Sequence, residues 1–181
     1  LLLVSGDNQR VVVGSVSANM IVRAFDRNDN PVEGANIHFE VKKGDATLVT
    51  GADQTTNADG LAFGAVRLGN HTGNIEVDAA SAGLSGSPVK FHIQALPAAA
   101  EHLLLYAGNN QNGTIGHVLP FPIQVKVVDH YNNPVPNYAI TFVVTNGGGS
   151  IQEKQPVKTN GDGVASVNWV MGPTPGANTA M

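Results

Sequence analysis

The residues best suited to hold a ligand are Asp26-Arg27-Asn28-Asp29-Asn30. Carboxylates and carboxamides crowded together offer the hard oxygen atoms that calcium prefers. A second stretch, Asp129-His130-Tyr131-Asn132-Asn133, has the same outline with one carboxylate, where a calcium loop needs several. Both stretches therefore read as turns closed by their own side chains. Asp and Asn bond to nearby backbone amides, Asn tolerates positive φ, and the following Pro31 and Pro134 fix the exit. Thr56-Asn57-Ala58-Asp59-Gly60 and Thr159-Asn160-Gly161-Asp162-Gly163 read the same way, the last Gly supplying a conformation that a Cβ opposes.

The six histidines, His38, His71, His92, His102, His117 and His130, show no metal-ligand spacing and read as surface groups. The absence of cysteine removes disulfides, thiolate metal sites and thiol nucleophiles together. No Gly-x-Ser-x-Gly elbow or phosphate loop occurs. Gly147-Gly148-Gly149 reads as a flexible hairpin or loop, because no helix follows it to orient a phosphate. Asn70-His71-Thr72 and Asn112-Gly113-Thr114 fit the glycosylation sequon, which here reads as coincidence. Trp169, Tyr131 and Tyr138 could stack on a sugar, but the alternation of their strands places Trp169 and Tyr138 in the core, and Tyr131 alone is a poor platform. No catalytic, cofactor-binding or metal residue is assigned, and the chain is expected not to be an enzyme.

The elements that must position these turns are strands. In Ala35-Asn36-Ile37-His38-Phe39-Glu40-Val41-Lys42 every odd residue is apolar and every even one polar, which is the period of a half-buried strand. The same rhythm places Met20, Val22 and Ala24 inward, with Phe121, Ile123, Val125 and Val127 matching them. It gives inner faces to Val89, Phe91, Ile93 and Ala95, to Tyr138, Ile140, Phe142 and Val144, and to Ala165, Val167, Trp169 and Met171. No helical period is sustained, so the pattern predicts antiparallel two-sheet sandwiches.

The chain also repeats itself. Leu1-Leu2-Leu3, Gly6, Asn8 and Gln9 recur at Leu103-Leu104-Leu105, Gly108, Asn110 and Gln111, an offset of 102. After one inserted residue the offset is 103, so that Asp26, Asn30-Pro31-Val32, Ile37, Phe39 and Asp59-Gly60 recur at Asp129, Asn133-Pro134-Val135, Ile140, Phe142 and Asp162-Gly163. A period this long is a domain repeat, since solenoid repeats run about 20–50 residues. The expected organisation is a sandwich over 1–96, a short semi-rigid linker over 97–101 and a second sandwich over 102–181.

The order Leu-rich strand, Gly-x-Asn-Gln, Asp-x-x-x-Asn-Pro-Val, x-Ile-x-Phe-x-Val and Thr-Asn-x-Asp-Gly-x-Ala resembles the bacterial immunoglobulin-like domain of the invasin and intimin type. The resemblance covers residues 1 to about 95 and again 103–181. It implies an all-β chain of two tandem immunoglobulin-like sandwiches at a bacterial cell surface, forming part of an adhesin stalk anchored in the outer membrane. The implied partners are neighbouring domains of the same kind, with a host receptor or another cell engaged through a distal domain elsewhere. Copy two departs at Asn137, where copy one has Gly34, and at Asn146-Gly147-Gly148-Gly149; both read as loop variation. The alternative from another class is a noncatalytic, carbohydrate-binding module of a secreted enzyme.

Composition agrees with folded protein: hydrophobic residues make up 42%, and the net charge is -4. The basic residues are dispersed, Lys42-Lys43 marking an exposed strand end, so no phosphate-binding face and no nucleic-acid partner are expected. No segment approaches the roughly 20 apolar residues of a spanning helix, so no direct membrane insertion is expected. The chain begins without Met, inside a pattern, and reads as part of a longer protein whose export signal and anchor lie elsewhere. Met181 aligns with Asp78, so the second sandwich is expected to lack the counterparts of residues 79–95, its last strand included. A sandwich so truncated exposes core and unpaired amides, which a continuing chain or a strand borrowed from a neighbour would cover.

Overall fold

A computed structural model describes all residues, Leu1–Met181, and they fold into two compact units, Leu1–Pro97 and Ala98–Met181. Every regular element is a strand. Unit one contains β1 (Leu2–Ser5), β2 (Gln9–Val12), β3 (Met20–Arg23), β4 (Asn36–Lys43), β5 (Ala46–Leu48), β6 (Asp53–Thr55), β7 (Leu61–Gly64), β8 (Val66–Leu68), β9 (Gly73–Ala80) and β10 (Val89–Leu96). One sheet has the order β1-β3-β7, the other β2-β10-β9-β4-β6, and β5 pairs with β8.

Alternation decides what each strand buries. Met20 and Val22 of β3, Ile37 and Phe39 of β4, Val77 of β9, and Phe91 and Ile93 of β10 are buried, while Lys90, His92 and Gln94 between them are exposed. Each large apolar side chain so enclosed contributes about 1.5–3 kcal/mol. One pairing departs from the antiparallel expectation: β2 runs parallel to β10, from Ile93↔Gln9 to Leu96↔Val12. Alternation reports which face a residue occupies, not the direction of its neighbour, so this pairing is invisible in the sequence pattern.

Unit two contains β11 (Ala100–Ala107), β12 (Ile123–Asp129), β13 (Ala139–Ile140), β14 (Val144–Asn146), β15 (Gly149–Ile151), β16 (Val157–Lys158), β17 (Val164–Val167), β18 (Trp169–Met171) and β19 (Thr179–Ala180). Its registers fall at the numbers of unit one plus 102 or 103. Leu2↔Arg23 and Leu3↔Val22 reappear as Leu104↔Lys126 and Leu105↔Val125. Met20↔Gly64 reappears as Ile123↔Val167, Leu48↔Val66 as Ile151↔Trp169, and Val41↔Val77 as Val144↔Ala180. The irregularity between Val41 and Lys43 recurs between Val144 and Asn146.

Two inward assignments do not hold. Phe121 is exposed, because the strand begins only at Ile123, after Pro122, and the Phe121 backbone is bonded instead to Gln111. Tyr138 is also exposed: it precedes β13 at the position of half-buried Ala35, where a phenol ring outgrows the space the strand end covers. Gly147-Gly148-Gly149 makes no hairpin, since β14 pairs with β19 and β15 with β18, so these glycines carry the chain between two ladders.

Candidate functional site

The Asp26 turn is closed by its own side chains. Asp26 Oδ1 accepts the N–H of Asn28 at 2.8 Å and of Asn30 at 3.0 Å, and Oδ2 accepts Asn30 Nδ2 at 3.0 Å. These bonds, from the Asn30 carboxamide first, hold the Asp26 carboxyl below the usual carboxylate range. Its counterpart Asp129 is fully buried. Asp129 Oδ1 accepts from the N–H of Tyr131 at 2.9 Å and of Asn133 at 2.8 Å, while Oδ2 accepts Asn133 Nδ2 at 3.0 Å and the Ala98 N–H at 2.9 Å. Burial pushes the Asp129 carboxyl up, and the bonds from Asn133, Ala98 and Tyr131 outweigh it, leaving it low. The lone pairs a calcium ion would need are thus engaged by N–H donors in both turns. No group of three or more His, Asp or Glu side chains is placed to hold a metal ion.

The other motif residues are also engaged in holding the backbone. Thr56 Oγ1 donates to Val32 O at 2.6 Å and accepts the Ala35 N–H at 2.9 Å; Thr159 does the same with Val135 at 2.7 Å and Tyr138 at 2.9 Å. Asn57 Oδ1 accepts from Asp59 and Leu61, and Asn160 Oδ1 from Asp162 and Val164. The glutamine of Gly-x-Asn-Gln bridges two loops. Gln9 Nε2 donates to Gly6 O and Ala18 O while its Oε1 accepts the Ala18 N–H, and Gln111 repeats this with Gly108 and Phe121. Gly6, at φ +91°, lies where a Cβ would run into Asn19 O. The sequence motif is therefore a set of loop fasteners.

The histidines are exposed, as expected, and five of the six lie against carboxylates: His38 on Asp53 at 2.7 Å, His71 on Asp45 at 2.8 Å, His92 on Asp7 at 3.1 Å, and His102 and His130 on Glu101 at 3.5 and 3.2 Å. These pairs were not legible in the sequence, because Asp7 and Asp45 belong to no repeated motif. Asp45 Oδ2 also accepts the N–H of Asn70 and of His71, and its carboxylate fills the space beside Gly69 that a Cβ would take. Trp169 is buried, its indole N–H donating to Gly148 O at 3.3 Å, and so is no sugar platform. Tyr131 stands edge-on to His130 at 5.3 Å.

A cleft of about 480 Å³ opens in unit two, where Leu105, Ile115, Leu119 and Trp169 meet the polar side chains of Asn110 and Asn178. Its floor is core in unit one: Val13 is 5% exposed and the matched Ile115 is 48%, while Leu3 is half-buried and Leu105 is 61% exposed. In unit one β10 lies beside β2 and β9; in unit two Gln111–Thr114, matched to β2, forms no strand. The cleft holds no convergent acid, base or nucleophile.

Several solved structures are similar to this chain. InvD of Yersinia pseudotuberculosis matches with a TM-score of 0.59 at 17% identity, over 93% of this chain and 51% of that one. FdeC, an Escherichia coli adhesin, matches with a TM-score of 0.55 at 17% identity, over 99% of this chain and 60% of that one. The fold is immunoglobulin-like. The D0-D1 domain of intimin aligns over 96% of this chain and 86% of that one at 19% identity, with a TM-score of 0.42, too low to carry an argument. The chain spans about half of the InvD structure and three fifths of the FdeC structure. A family model described as macroglobulin domain MG4, also immunoglobulin-like, matches residues 113–178, less than half of the chain. No curated protein matches it. No helix is long and apolar enough to cross a membrane.

Proposed function

We propose that the chain is a structural and adhesive segment of a bacterial cell-surface protein, made of two tandem copies of one sandwich over 1–96 and 102–181 that present a binding domain carried elsewhere in the protein. One observation carries this reading: the motif residues shared by the copies all fasten loops to strands at the same registers, so what the sequence repeats is shape. Repetition of shape in tandem domains suits a spacer, whose task depends on form and not on a site. The fold likeness to the adhesin FdeC over 99% of this chain supports the same reading. Outer-membrane anchoring and a host receptor for the distal domain belong to this proposal and rest on the same likeness.

The test uses antibodies raised against this chain on intact cells of the bacterium that makes it. Surface labelling that is lost on brief external proteolysis is the expected result. Labelling only after lysis refutes a cell-surface role. A glycan array run with the same chain separates the alternative: saturable polysaccharide binding would make it a carbohydrate-binding module of a secreted enzyme.

A further inference from the structure

Strand β11 has a neighbour on one side only. It pairs with β12 at the edge of the order β11-β12-β17, and every residue from Glu101 to Ala107 is exposed. Little blunts that edge: the strand holds no Pro and no Lys, and its two irregularities lie on either side of Leu103-Leu104-Leu105. The direction of its backbone groups follows from β12. The Val127 N–H donates to Gly163 O at 2.8 Å and Val127 O accepts the Val135 N–H at 3.0 Å, so the Val127 backbone points away from β11. Leu103 lies opposite Val127, and in an antiparallel ladder the residue opposite such a position points outward too. The N–H and C=O of Leu103, and by the two-residue period those of Leu105, therefore face the open edge. Unit one shows what this edge accepts. Leu1, matched to Leu103, donates from its nitrogen to Ser85 O, and Gly86 lies so close that a Cβ there would meet Leu1 O. In unit two no backbone group engages Leu103 or Leu105 in this way.

We propose that β11 is a self-association edge, where two copies of the chain pair antiparallel about Leu104. The occupant is a second copy because the segment is complementary to itself. A two-fold axis normal to the sheet keeps each side chain on its own face, so Leu104 meets Leu104, Leu103 meets Leu105, and His102 meets Tyr106 of the second copy. Leu103 and Leu105 both face the edge, so this register gives two symmetric pairs, each exchanging two N–H···O bonds. The leucines, exposed in one chain, cover each other, and Glu101 falls opposite Ala107, so no like charges are opposed. The pairing depends on β11 alone, so its failure leaves the cell-surface reading untouched.

Sedimentation equilibrium of the unaltered chain at about 0.5 mM should give a mass approaching twice the 18.8 kDa of one chain. A mass of one chain overturns the proposal and gives the edge to a loop of the Ser85–Gly86 kind. Leu103→Pro removes an N–H that no bond within unit two uses and sets a ring on the edge. It should abolish the dimer while leaving the Trp169-detected urea midpoint in dilute solution unchanged. A dimer that survives Leu103→Pro is held elsewhere and overturns the proposal. The register has its own test, which stands even if Leu103→Pro does not fold. Leu104→Lys and Leu104→Glu each set like charges face to face and should be monomeric alone; mixed, they should form a one-to-one heterodimer. Homodimers that persist in both variants, or a mixture that stays monomeric, overturn the pairing about Leu104.

Discussion

Asp26 and Asp129 occupy the same place in the same motif and should respond to truncation very differently. Asp129→Ala removes the acceptor of three backbone N–H groups, those of Ala98, Tyr131 and Asn133. At about 1 kcal/mol for each donor left without its partner, unit two should lose about 3 kcal/mol. Asp26→Ala frees the N–H groups of Asn28 and Asn30, both at exposed positions where water replaces the carboxylate. Urea unfolding separates the two cases. The single tryptophan, Trp169, is buried in unit two and reports that unit alone by fluorescence, while far-ultraviolet circular dichroism follows both. With a urea slope of roughly 1.5 kcal/mol per M, the Trp169 midpoint should fall by about 2 M in Asp129→Ala. The transition of unit one in Asp26→Ala should move several-fold less. Equal shifts would refute the reasoning, because they would mean that burial of the carboxylate makes no difference to its worth.

Joining the unit-one segment Ala79–Leu96 after Met181, its matched position, should seat a strand in the cleft and cover Leu105 and Ile115; unit two should then melt at least about 10 °C higher by tryptophan-detected thermal unfolding, a smaller gain arguing that the cleft is no strand seat. Acid should destabilise both units. Asp7, against burial that raises it, is held low by the N–H groups of His92 and Asn8 and by the His92 ring; Asp45 is held low by His71, and Asp129 by the bonds already described. Carboxyls lowered in the folded state stabilise it above their unfolded value of 3.8 and lose that contribution as pH falls through the folded value. Melting temperature measured across pH should therefore be flat near neutrality and fall below about pH 4, and Asp129→Asn should flatten the acid limb of unit two only.

Fold class was legible because two-residue alternation reports burial directly: Phe39, Phe91, Val167 and Trp169 are all inside, where their rhythm puts them. The turns were legible for a related reason, since Asp26, Asn57 and Asn160 accept amides within four residues of themselves, and short range is what a motif can encode. Phe121 and Tyr138 failed because alternation carries no information about where a strand starts: the Gln111 side chain holds the Phe121 backbone outside β12, as Gln9 holds Ala18 outside β3, and the position just before β13 leaves the other ring outside.

By itself, then, the sequence determined the strands, their inner faces, the self-closing turns and the spacing at which the pattern recurs, all of which depend on neighbours along the chain. Only the tertiary structure decided the parallel pairing of β2 with β10, the carboxylate held against each of five histidines, the exposure of Ile115, and the capture of the Ala98 amide by Asp129. The physical reason is distance along the chain: most of these contacts join residues 15 to 85 positions apart, and nothing in local chemistry specifies which of many possible partners folding will bring to within hydrogen-bond reach.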